Sequence, residues 1–458
     1  MYSISFFVLF VAFVVKFKLF IKSSKVIEME KPRVILRKCD EYDTDVIAGI
    51  IRESVSDLKI EISGKVFIKP NVVSANRQYI HDSYTNPKVV EAMVKVLKEK
   101  GISHITAGES GGYGVPSRLF FKESGYFDLA ERAGFKLVDL NEHPFVKEPL
   151  KKGVYHKEIM LSRFIKEADF KIWMPKLKYH IFASITNTLK LNVGVLYHKE
   201  RMLYHDHRIH DKIVDLLEAG YPDLIVSDAI DITYGFESAP YPVRLGALII
   251  SDHPLAADVV ASYIMGYEPE NVRHLTIASE RGYGSLKLDD IALSGDIGID
   301  ELRARPKGKT RLFQVLDELE TPIRFFAGLA PGTERVCDGG CEGAVKGCLG
   351  TVEKRRPGSL KGAKRGAIVT GIYKGDVIMP DAPVLLVGTC TKVEGRLEAK
   401  KVYRVKGCPM GAKDLFIRIP MIFGMPSPML DKRDALLFIL NSVEKGLNIL
   451  KNRILSGR

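Results

Sequence analysis

The sequence predicts an α/β fold: a mostly parallel sheet with helices on both faces, followed by a smaller C-terminal α+β module that carries cysteines. Three observations predict it. From Val34 onward, short β-branched runs alternate with amphipathic helical patterns. The strand-like runs end in loops containing Pro, Gly or Asn, and five of the six cysteines fall from Cys337 onward. Strand and helix in strict alternation bury both faces of a parallel sheet and leave its carboxyl edge for ligands.

The elements follow in order. V-I-L-R opens at Val34 as a first strand, Val46 to Leu58 carries a helical apolar stripe, and K-V-F-I-K-P is the second strand. Pro87 to Lys100 reads as a helix, because Pro suits the first helical turn and apolar residues recur at three and four. I-T-A-G-E is a third strand, and more are expected at Phe170 to Met174, Leu224 to Ser227 and Leu245 to Ile250. The expected units are an extension over 1–28, an α/β domain over 29–302, a linker over 303–330 and a cysteine-bearing module over 331–458. In the last, Val384 to Val387 and Val402 to Val405 are strand-like. No period of 20 to 50 residues points to a solenoid.

The extension contains an apolar run, Phe6 to Val15, followed by Lys16, Lys18, Lys22 and Lys25. That run is short of the roughly 20 residues of a spanning helix and lacks the charge order of a signal peptide. Two readings stand: translation begins at Met29, or the segment inserts and the lysines keep the following domains cytoplasmic. The expected location is the cytoplasm, with membrane anchoring through residues 1–28 as the alternative.

With 458 residues, 46% of them hydrophobic, the chain can bury real cores. Its net charge of +12 is spread along the length without a run of five or six like charges, so a solvated surface is expected and no nucleic-acid partner. Six cysteines clustered late suit a metal or redox site in a reducing compartment better than a secreted disulfide framework.

Cys337 and Cys341 sit in the glycine-rich C-D-G-G-C-E-G, where glycines let backbone wrap an inorganic core. Cys390 and Cys408 end strand-like runs, and Cys408 precedes Pro409, the terminal feature of bacterial ferredoxin cysteine runs. These four form the expected metal tetrad. Cys348 lies about 10 Å along a helix from Cys341 and is excluded, and Cys39 is a core residue. The expected cofactor is an iron–sulfur cluster of the 4Fe-4S kind, and tetrathiolate zinc is the alternative.

Lysines close two strands: K-P-N places Lys69 and Asn71, and M-P-K-L-K-Y-H places Lys176, Lys178 and His180. Cations at strand ends suit an anionic substrate. T-N-T-L-K-L-N-V-G adds Lys190 and Asn192. His180 is the expected acid–base group, with Lys178 beside it and Asp228 orienting it, while Asp258 serves either that role or a helix-side hydrogen bond. Y-H-D-H-R-I-H-D gathers His205, His207 and His210, a weak metal pattern that proton transfer or hydrogen bonding explains as well. G-E-S-G-G-Y-G (108–114) is neither a Walker nor a dinucleotide fingerprint and reads as a flexible active-site loop.

Taken together, K-P-N-V-V, N-P-K-V-V-E-A-M, M-P-K-L-K-Y-H, T-L-K-L-N-V-G, V-S-D-A-I-D and S-D-H-P-L-A-A-D-V-V-A-S-Y-I-M-G resemble the domain of unknown function 362 family over about residues 60 to 300. The resemblance implies a cytoplasmic α/β protein often accompanied by ferredoxin-type cysteines, although this chain lacks repeated C-x-x-C-x-x-C runs and has Leu-Asn after Lys190. It implies no substrate. The functional expectation is an iron–sulfur oxidoreductase or electron-transfer enzyme acting on a small anion, with a redox partner protein. The alternatives are a zinc-containing hydrolase or isomerase and a non-enzymatic iron–sulfur carrier or scaffold.

Overall fold

The computed structural model describes residues 31–112, 115–237, 239–306, 320–337, 341–408, 410–411, 413–428 and 431–455. The apolar run Phe6 to Val15 lies outside these residues.

The strands in chain order begin with β1 (Arg33–Lys38), β2 (Val66–Pro70), β3 (Ile105–Glu109), β4 (Lys136–Asp139), β5 (Phe145–Pro149) and β6 (Glu158–Ser162). Then come β7 (Phe170–Met174), β8 (Lys176–His180), β9 (Ser184–Thr186), β10 (Leu224–Phe236), β11 (Ala239–Ser251) and β12 (Ala292–Gly295). The last four are β13 (Ile323–Ala327), β14 (Gly366–Tyr373), β15 (Val377–Val393) and β16 (Leu397–Val405).

The main sheet runs β12-β1-β11-β10-β7-β2-β3-β4. Its neighbours are parallel except where β11 pairs antiparallel with β1 and β10. Helices cover both faces, and strand alternation shows why. Val34, Leu36, Phe67 and Trp173 enter one core, while Ile35, Ile68, Ile172 and Met174 enter the other. Against the first core pack the helices Ile209–Leu217 and Pro254–Ile264; against the second pack Thr44–Asp57 and Pro87–Glu99. Side chains cap these last two helices: Asp43 accepts from the N–H groups of Asp45 and Val46, and Asn86 from that of Lys88 ahead of Pro87.

The smaller module is the four-stranded sheet β13-β14-β15-β16, each neighbouring pair parallel, with the helix Cys341–Arg355 against it. Its boundary differs from the expected one. β13 begins at Ile323, inside the stretch expected as linker, and joins the second sheet because its β-branched and aromatic run pairs with β14. The helix Ile299–Ala304 likewise runs past the expected boundary at 302, and residues 307–319 of the expected linker lie outside the described residues.

The two units share a core. Phe236, at the end of β10, packs with Val345, Cys348 and Leu349 of the helix Cys341–Arg355. That helix carries glycines where others would carry Ala or Leu, at a cost of about 1 kcal/mol each. A Cβ at Gly343 would lie 2.2 Å from the Phe182 ring, and one at Gly350 would lie 2.7 Å from that of Phe236. The glycines let the aromatic rings of the first domain reach the helix backbone.

Candidate functional site: a cavity between the lysines and the cysteines

A cavity of about 270 Å³ opens beyond the carboxyl ends of β2, β3 and β10, where the fold predicts a ligand. One wall belongs to the main domain: Asn71, Glu109, His180, Lys190, Arg201, His205 and Glu237. The opposite wall belongs to the cysteine module: Gly343, Ala344, Gly347, Cys348, Leu415 and Phe416. Much of the lining is apolar, with Phe120, Phe182, Phe236 and Phe416 around the polar groups.

The expected substrate lysines divide. Lys190 lines the cavity and, among the described residues, makes no direct hydrogen bond or ion pair. Burial lowers its pKa to about 8, with Glu237 opposing and Lys178 adding to the shift. The other three are already engaged. Lys69 is buried in an ion pair with Glu109 at 2.7 Å, and a Cβ at Gly194 would lie 2.6 Å from its Nζ. Lys178 donates to the Ser83 carbonyl at 2.7 Å and lies 3.0 Å from Glu237. Lys176 does not line the cavity; it donates to the Tyr42 hydroxyl at 2.8 Å and pairs with Asp228 at 3.2 Å.

Asp228 therefore has a different place from the one expected. Its carboxylate accepts from Tyr42 Oη at 2.9 Å and the Asn86 N–H at 2.9 Å, besides Lys176, and it does not orient His180. Asn192 also turns away from the cavity: its Oδ1 accepts from Trp173 Nε1 at 2.7 Å. Asn71 does face the cavity, and its buried Oδ1 has no hydrogen-bond partner among the described residues.

His180 lines the cavity with a defined tautomer. Its Nδ1 accepts from the backbone N–H of Phe182 at 3.1 Å and of Ala183 at 3.2 Å, so the neutral ring carries its proton on Nε2. Burial holds its pKa well below the usual range, and Lys190 and His205 reinforce this. The group is thus a hydrogen-bond donor at Nε2, with Nδ1 occupied. Asp258 takes the helix-side role, accepting from the N–H groups of Thr188 at 2.8 Å and Leu189 at 3.0 Å and so fixing the segment that bears Lys190.

Three groups that the sequence did not single out complete the main-domain wall. Burial would raise the Glu237 pKa, but Lys178 and Lys190 outweigh it and hold the carboxyl below its usual value. Glu109 neutralises Lys69. Arg201, its pKa lowered by burial to about 10, donates to the Ser110 carbonyl at 2.6 Å and also to the Gly111 carbonyl. Arg201 thereby pins the start of the glycine loop, whose Tyr113 and Gly114 lie outside the described residues. Lys69, Lys178, Lys190 and Arg201 gather around the cavity, with Glu109 paired to Lys69, Glu237 to Lys178, and Glu109 and Asp139 acting on Arg201.

The four cysteines of the expected tetrad lie on the module that forms the second wall. Cys341 is the first residue of the helix that lines the cavity, and its sulfur packs on Gly388, where a Cβ would lie 2.7 Å away. Burial raises the Cys341 thiol to about 12, and Cys337, Cys408 and Cys390 each add to the rise. A thiol whose ionisation three others oppose is a donor that a bound cation would relieve of that opposition. The start of a 15-residue helix adds free N–H groups that favour negative charge there. Among the described residues, no three histidine, cysteine or carboxylate side chains meet closely enough to hold one ion. Of the four, Cys341 is buried, Cys337 and Cys390 are half-buried and Cys408 is exposed, so they fit the expected group in kind alone. Cys348 stays apart, donating to the Leu415 carbonyl at 3.0 Å.

The histidine segment does not converge. His205 lines the cavity, His207 lines a separate depression with Arg335 and Glu334, and His210 stacks on His274. Between the first two, Asp206 accepts from Cys408 Sγ at 3.8 Å, so neighbouring residues touch cavity and tetrad.

Residues 66–263 match the family described as Domain of unknown function (DUF362). More particularly, the chain is similar to the "Thylakoid-associated protein sll1697" of Synechocystis sp., at 25% identity over 265 residues, 55% of this chain and 79% of the relative. Among solved structures it is similar to the lactate racemase apoprotein from Thermoanaerobacterium thermosaccharolyticum, at 12% identity and a TM-score of 0.34, covering 74% of this chain and 70% of that one. Among the described residues, no helix is long and apolar enough to cross a membrane.

Proposed function

We propose that this chain is an iron–sulfur oxidoreductase that exchanges electrons with a small anion held in the cavity. Cys337, Cys341, Cys390 and Cys408 would hold the cluster, and Lys190 would hold the anion. The observation that carries the reading is the shared helix: Cys341–Arg355 begins at the tetrad and walls the cavity with Gly343, Ala344, Gly347 and Cys348. His205 and Asp206 make a second link. Four cysteines that, among the described residues, do not close on a single point suit a multi-atom core better than one zinc ion.

A bound cluster would supply or accept one electron at a time. The chain's own groups do the rest. Lys190 neutralises the anion, and His180 offers its Nε2–H as a hydrogen bond to it. Glu237 keeps Lys178 and Lys190 cationic, while the phenylalanines exclude water and strengthen these charges. Cys408 is exposed, which supports electron entry from a redox partner protein at that corner. A cytoplasmic location fits six free thiols, and the name of the thylakoid-associated relative keeps the membrane-anchored alternative open to test.

Iron, sulfide and zinc measured in anaerobically purified wild type and Cys408→Ser test the reading. About four iron and four sulfide per wild-type chain, lost in the variant, are expected for a four-thiolate cluster. Zinc alone would replace the redox reading with a structural metal site.

A further inference from the structure

The C-terminal helix Lys432–Leu455 is inside out. Its polar side packs on the main domain: Asp434 accepts from Asn76 and Arg355, Arg433 pairs with Glu123 at 2.9 Å, and Asn448 donates to Glu142 at 2.9 Å. Its apolar side faces outward. Leu436, Leu440, Val443, Leu447, Leu450 and Ile454 are each between 54% and 70% exposed. An ordinary surface helix has the reverse orientation.

We propose that this face is the seam of a two-fold homodimer of the chain. The six residues are spaced four, three, four, three and four apart, the alternation that keeps a stripe against another helix. A second copy presents the same stripe, and a two-fold axis closes the pair without leaving a free face. The stripe is narrow, aliphatic and without aromatic residues, unlike the broader, aromatic-bearing face of a helix lying in a membrane surface. Glu444 lies on the inner, polar side, where Arg118 of the main domain pairs with it, so the outward stripe is left to the aliphatic residues. With Ile439 and Leu455, which are also exposed, pairing removes on the order of 1,000 Å² from water over both copies, the threshold of a specific interface.

Two measurements on the full chain decide it. Light scattering after size exclusion is expected to give twice the 51.2 kDa chain mass for wild type. Val443→Glu with Leu450→Glu is expected to weaken association by roughly a hundredfold or more, since four carboxylates would enter each seam. A photo-cross-linking amino acid in place of Leu447 is expected to join two C-terminal helices, a readout that survives if the glutamate variant fails to fold. A monomeric wild type, or cross-links to lipid or to residues 1–30, would overturn the proposal.

Discussion

Cys341 and Gly388 are in direct contact: the sulfur occupies the space where any side chain at 388 would begin, 2.7 Å from the Cβ position. Gly388 also has φ of +108°, a conformation that side-chain-bearing residues rarely adopt. Gly388→Ala is therefore expected to displace Cys341 and lower bound iron per chain severalfold, with the main domain intact. Metal analysis beside circular dichroism checks this; full iron loading in the variant would separate the sulfur from the metal centre.

In the proposed function Lys190 holds the anion, because among the described residues it makes no direct hydrogen bond or ion pair. Below about 8 it is charged, and above that it loses its proton, so anion affinity is expected to hold through neutral pH and to decline as pH rises past about 8. A bound anion favours the charged form and moves the decline upward. Lys190→Met is expected to weaken binding by about 10- to 100-fold at pH 7 and to remove that pH dependence. Calorimetry with inorganic phosphate and small carboxylates across pH 6 to 10 provides the measurement.

His180 is expected to remain the neutral Nε2–H tautomer from pH 8 down to 5. Charging it means placing a proton on the nitrogen that already accepts from Phe182 and Ala183. Nitrogen-15 spectra of the imidazole report this directly, and a titration centred near 6.5 would contradict the structure.

Lys176→Met should behave unlike Lys190→Met. Lys176 and Asp228 are both essentially buried, so removing the lysine leaves an uncompensated carboxylate and costs about 3–5 kcal/mol of stability. Denaturant unfolding of both variants is the comparison, and equal midpoints would erase the distinction between a structural and a ligand-facing lysine.

Asp258→Ala removes the acceptor for two buried N–H groups, with an expected cost of about 1–3 kcal/mol. Because the freed segment carries Lys190, anion binding should weaken as well, although residue 258 is outside the cavity lining. Calorimetry on the variant at a temperature where it is fully folded separates the two effects.

Much of the architecture was legible because it rests on local patterns. The alternation of strand and helix predicted the sheet, and K-P-N and M-P-K-L-K-Y-H predicted which strand ends approach the ligand edge. Glycine spacing and the Cys-Pro pair pointed to four cysteines as ligands, and helical geometry set apart Cys348, which donates to the Leu415 carbonyl. What no local pattern carried was which lysines are neutralised. Glu109 and Asp228 reach Lys69 and Lys176 across 40 and 52 residues of sequence, through parallel pairings made by the whole sheet. The same holds for Arg201, whose short helix His198–Met202 carries no motif yet anchors the glycine loop. Sequence also assigned His180 to proton transfer; the turn that follows it supplies the two N–H groups that occupy its Nδ1.

The glycines at 343, 347 and 350 give the cavity two owners. With the cysteine module in place, the wall bearing Lys190 faces a largely apolar lining that includes Phe416 and Leu415. Were that module absent, the same wall would become an open trough, water would flood it, and Lys190 would return to an ordinary solvated amine. On the proposed reading, selection among anions rests on both walls jointly: a related chain carrying the lysine wall with a different lid, or none, would keep the charge and change the selection.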